Sequence, residues 1–100
     1  MSGLAIIVVG PDPARARRAL GIAAAAAALG REAALLFDGD SVTALPAVAE
    51  PLATALAMGV RITACATGLA DHGIALPAGL DAAGLIGFMT VNTGAELLTV

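Results

Sequence analysis

The sequence predicts a single α/β domain in which a mostly parallel five-stranded sheet lies between two layers of helix. Three observations predict it. Short apolar runs, four to six residues long, alternate with longer alanine-rich stretches. Glycine, proline or aspartate punctuates most of the junctions. The first run, Leu4-Ala5-Ile6-Ile7-Val8-Val9, is apolar throughout rather than alternating. A strand of that kind is buried on both faces, as in parallel sheets.

Leu4 to Val9 is therefore the first strand. It is closed by Gly10-Pro11-Asp12-Pro13, where Asp12 suits a helix N-cap and Pro13 the first helical position. A helix follows over Pro13–Leu29 and stops at Gly30. Its alanines, Ala23 to Ala28, make it thin enough to lie close to a sheet or to a neighbouring subunit. Ala33 to Phe37 is the second strand, ended by the turn-forming Asp38-Gly39-Asp40-Ser41. Thr43 to Val48 stays ambiguous between loop and helix, because Pro46 and Pro51 both restrict where a helix can begin. A second helix covers about Ala47 to Met58 and ends at Gly59. Val60 to Ala64 is the third strand and Ala66 to His72 a short helix. A weak fourth strand is expected near Leu80 to Ala82, a helix from about Ala83 to Asn92, and a last strand over Ala95 to Val100. Right-handed crossovers then favour a flavodoxin-like three-layer domain, with an expected strand order of 2-1-3-4-5.

Composition bounds the function. The chain has 100 residues, a net charge of −3, 59% hydrophobic and only 13% charged residues. One small domain is all this length supports. So much apolar content with so little charge leans towards a homo-oligomer; the plainer alternative is that alanine-rich helices stay solvated. There is no basic stripe with interleaved aromatics, so nucleic acid is not an expected partner. Neither is a membrane, since the uncharged alanine-rich stretch from Ala19 to Gly30 is twelve residues long, too short to span. Met1-Ser2-Gly3-Leu4 has no charged leader pattern, and the expected location is the cytoplasm. A single cysteine rules out an internal disulfide and a multi-cysteine zinc site. No cofactor is expected: Gly10-Pro11-Asp12-Pro13 has neither the spacing of a dinucleotide loop nor the lysine of a phosphate loop.

The lone cysteine and lone histidine share one stretch, Gly59 to Gly73. Cys65 falls at the end of the third strand and the start of a helix, where free backbone N–H groups, those of Ala66 and Thr67, are expected to favour an anionic sulfur. The expected order brings three loops together beyond the strand ends: Asp12, then Asp38 with Asp40, then Cys65 with Ala66 and Thr67. Their carboxylates oppose an anionic sulfur. His72 lies two helical turns from Cys65 and joins the site only if the chain or a second subunit brings it there. Plainer readings stand beside each. Cys65 serves equally as a small buried hydrophobe, His72 as a residue favoured by the helix C-terminus, Asp12 as a cap, and Asp38 and Asp40 as turn formers. A metal site from Asp38, Asp40 and His72 is weakly signalled, and none is expected.

Several segments resemble the DsrE/DsrF-like family of sulfur-relay and sulfurtransferase-like proteins. They are Phe37-Asp38-Gly39-Asp40-Ser41-Val42 after the second strand, Gly59-Val60-Arg61-Ile62-Thr63-Ala64-Cys65 leading to the thiol, Gly73-Ile74 after the short helix, and the final Ala95-Glu96-Leu97-Leu98-Thr99-Val100. The resemblance implies a cysteine, here Cys65, that holds sulfur as a persulfide between a donor and an acceptor protein. It also implies trimers or hexamers. The chain departs from the family at Gly68, where many members have serine, and at His72, where many have arginine. Two further readings remain. One is a non-catalytic oligomeric module that binds a small ligand or protein at the strand ends. The other is a peroxide-sensing thiol, which would need an external thiol to resolve it.

Overall fold

The computed structural model describes residues 3–100; the leader-free reading of Met1 and Ser2 lies outside them. The elements are β1 (Leu4–Val8), α1 (Pro13–Ala28), β2 (Ala33–Phe37), a run of 3₁₀ turns (Gly39–Val48), α2 (Ala49–Ala57), β3 (Arg61–Cys65), α3 (Ala66–His72), β4 (Asp81–Ala83), α4 (Leu85–Val91) and β5 (Glu96–Thr99). The stretch that was ambiguous in sequence is the 3₁₀ run. Pro46 sits inside it and has no N–H to contribute to an α-helical ladder.

All five strands are parallel, in the order 4-3-2-1-5. This corrects the expected 2-1-3-4-5, which had placed β2 at an edge. The reason is in β2 itself. Ala33, Ala34, Leu35, Leu36 and Phe37 are all buried, so the strand belongs in the interior between β1 and β3. Short, largely exposed strands take the edges instead: β4 carries exposed Asp81, and β5 is exposed along its whole length from Glu96 to Thr99.

The order also decides which layer each helix joins. The chain steps in one direction from β1 to β4, so right-handed crossovers put α1, α2 and α3 on one face. The return from β4 to β5 puts α4 on the other. The two cores follow that division. On the first face Leu4, Ile6, Val8, Leu35, Phe37 and Ile62 pack against Ala16, Ala19, Leu20, Ala23, Leu52 and Leu69. The alanine stripe of α1 lets its backbone come close to the sheet. On the second face Ala5, Ile7, Ala34 and Leu36 are covered by Phe88 alone among the buried residues of α4. The sandwich is thus lopsided: a thick layer on one side, one seven-residue helix on the other.

A consequence concerns the loops. Those after β1, β2 and β3 lie side by side at one end of the sheet rather than meeting at a reversal of strand order. The reversal falls between β1 and β5, so only the loop at Asp12 borders it. The loop at Cys65 is two strands away. At the opposite end of the sheet Arg31 ties the start of β2 to β5, through a 2.7 Å ion pair with Glu96.

Candidate functional site

Cys65 is the last residue of β3 and the N-cap of α3, with φ −61° and ψ 115°. Its side chain curls over the first turn, and Sγ accepts a hydrogen bond from the Gly68 N–H at 3.4 Å. The thiol is partly buried. Ala66 and Thr67, expected to supply the amides around the sulfur, are both exposed, and it is the Gly68 amide that meets Sγ. The same contact satisfies one of the four orphan donors of the helix.

Gly68 has a second duty. A Cβ placed there would lie 2.5 Å from the carbonyl oxygen of Gly39 and 3.4 Å from a methyl of Val42. No side chain fits. Helix α3 therefore lies flush on the start of the 3₁₀ run, with Leu69 buried beneath it. This close approach brings the loops after β2 and β3 into one surface.

Asp40 and His72 are brought together by the same docking. His72 Nε2 lies 2.9 Å from Asp40 Oδ1. The side chains are 36% and 72% exposed, so the pair is worth at most about 1 kcal/mol. His72 reaches the β2 loop within one subunit, and no second copy is needed for that. Neither residue is hydrogen-bonded to Cys65. Gly73, with φ +62°, closes α3 directly after the histidine.

The remaining expected residues are placed apart. Asp12 Oδ1 accepts from the Ala14 N–H at 2.9 Å and caps α1. Asp38 precedes the 3₁₀ run without a side-chain capping bond; its backbone N–H reaches Val8 and its carbonyl receives Ser41. Ser41 is fully buried, and its Oγ has no hydrogen-bond partner among the described residues. Also among the described residues, no group of three or more His, Cys, Asp or Glu side chains is placed to hold a metal ion, and no helix is long and apolar enough to cross a membrane.

No protein-family model matches the chain, and no curated protein matches it. Among solved structures, the chain is similar to a conserved protein of unknown function, BT1422, from Bacteroides thetaiotaomicron. The TM-score is 0.81 at 17% identity, over 99% of this chain and 95% of that one. At that identity the likeness shows the fold: a single parallel α/β domain of flavodoxin-like type.

Proposed function

We propose that the protein is a small sulfur carrier in which Cys65 accepts sulfane sulfur as a persulfide. The observation that carries this reading is the setting of Cys65: the single thiol of the chain, partly exposed, at a strand end, with the Gly68 N–H directed at Sγ. The resemblance of the flanking segments to sulfur-relay proteins adds to it. In the loading step the Cys65 thiolate attacks the terminal sulfur of a donor persulfide. The donor's S–S bond breaks, its thiolate leaves, and Cys65 holds the new S–S bond. The step is an exchange and consumes no oxidant. The Gly68 N–H holds Sγ at the start of α3, where it faces the donor and later the acceptor. Asp40 and His72 border the same surface and hold α3 against the β2 loop, where an acceptor protein would approach. The carrier works in the cytoplasm, where thiols stay reduced.

We further propose that copies of the chain associate through α4 and the adjoining edge of the sheet. Ile86, Met89 and Leu97 are 84%, 45% and 50% exposed there, and Leu85–Val91 carries no charged residue. The same surface supports the second reading, a non-catalytic oligomeric module.

Incubation with a persulfide donor followed by intact-mass measurement separates the two. The carrier reading expects a gain of one sulfur atom on the native chain and none on Cys65→Ala. An unchanged native mass, or an equal gain on the variant, overturns it.

A further inference from the structure

The second face of the sheet holds a cleft of about 250 Å³ between α4 and the strands β3 and β4. It stands apart from the sulfur reading: Arg61, at its mouth, begins β3, and Cys65 ends it, roughly 13 Å away at strand spacing. Buried Ala34 and Phe88 line it. Its polar residues are Arg61, Thr63, Asp81 and Asn92.

The arginine is positioned rather than loose. Asn92 donates from Nδ2 to the Phe88 carbonyl at 2.8 Å, which leaves Oδ1 to accept from Arg61 Nη2 at 3.3 Å. The chemistry fixes the amide's orientation, since a carbonyl and a guanidinium tolerate it only one way round. A neutral acceptor on one nitrogen leaves the charge and the other N–H groups of Arg61 available. Among the described residues no carboxylate lies within ion-pair distance of it. Asp81 is paired in register with Thr63, is exposed and lines the same cleft. A cation, a carboxylate and an apolar floor lining one cleft match a small zwitterion. An arginine fork binds carboxylates through charge-assisted hydrogen bonds.

We propose that this cleft binds a free α-amino acid, with the ligand's carboxylate on Arg61, its ammonium group on Asp81, and Asn92 as the residue that positions Arg61. The test is a titration of the isotope-labelled native chain with L-valine, followed by backbone amide chemical shifts. Isovalerate, which lacks the ammonium group, is the companion probe. Saturable shifts should centre on Thr63, Asp81, Phe88 and Asn92. Arg61→Gln should weaken L-valine by about tenfold or more, the loss expected for a charge-assisted pair. Asp81→Asn should weaken L-valine while leaving isovalerate unchanged. Both substitutions are at exposed positions, and each variant's amide spectrum reports its fold directly. The proposal is overturned by absence of saturable shifts with L-valine, by equal binding to Arg61→Gln, or by isovalerate binding as tightly as L-valine. Concentration-dependent broadening of the same amides without ligand, and no response to L-valine, would assign the cleft to contact between copies and overturn it too.

Discussion

Gly68 concentrates more of the architecture than any other residue of the site. Its N–H meets the Cys65 sulfur, and its missing side chain admits the Gly39 carbonyl. Gly68→Ala sets a methyl against backbone that cannot yield as a side chain would. It should destabilise the protein by about 1–3 kcal/mol, the range for overpacking a tight contact. Gly21→Ala is the control. Gly21 lies inside α1 with open space around its Cβ position, so alanine there should stabilise by up to about 1 kcal/mol. Urea denaturation of both variants measures the difference in sign. Equal effects would remove the close-packing account of Gly68. The position of Cys65 was legible in the sequence, because an apolar run ending in a lone thiol before a glycine-closed helix leaves few other placements. The Gly68 contact was not. A glycine after Cys65-Ala66-Thr67 is indistinguishable in sequence from one chosen for flexibility, and the approach of Gly39 depends on how two loops from different strands dock. His72 illustrates the same limit: its separation from Cys65 was readable, whereas its pairing with Asp40, 32 residues away in sequence, is a product of tertiary packing.

Among the helices, α4 is the least covered. Only Phe88 of its seven residues is buried, while Ile86 and Val91 remain 84% and 70% exposed. The segment from Ala83 to Asn92 was recognisable as a helix, but its exposure was not, because a uniformly apolar helix is usually taken to be interior. The asymmetry follows from strand order, with three crossovers serving one face and one the other. If copies associate through α4 and β5, Ile86→Glu combined with Leu97→Glu should reduce the particle mass to that of a monomer in light scattering. Both residues are exposed, so the variant should keep its fold by circular dichroism. A native chain that is already monomeric at micromolar concentration would remove the association proposal and leave the fold account intact.

For the molecule as a whole, the alternation of elements and the parallel sheet could be read from the apolar runs, from Asp12 and Pro13 at the start of α1, and from the glycines that close the helices. The strand order could not be read from alternation alone, because several orders satisfy the same right-handed crossovers. The discriminating features were uniformly apolar β2, which belongs in the interior, and the three-residue β4, which opens on exposed Asp81 and suits an edge. That order spreads the three expected loops along one end of the sheet, with the thiol at the start of α3, the Asp40–His72 pair at its end, and Asp12 at the separate reversal between β1 and β5. A sulfur carrier built this way must release its sulfur as readily as it takes it up, since Cys65 stands alone with no second thiol in the chain. The direct test is to load Cys65 with a persulfide, remove the donor, add a small thiol acceptor, and follow both masses with time. The carrier account predicts that the loaded chain loses one sulfur atom while the acceptor gains it, and that the emptied chain can be loaded again. A sulfur that stays on Cys65 in the presence of the acceptor, or that cannot be loaded onto the folded chain at all, would contradict it.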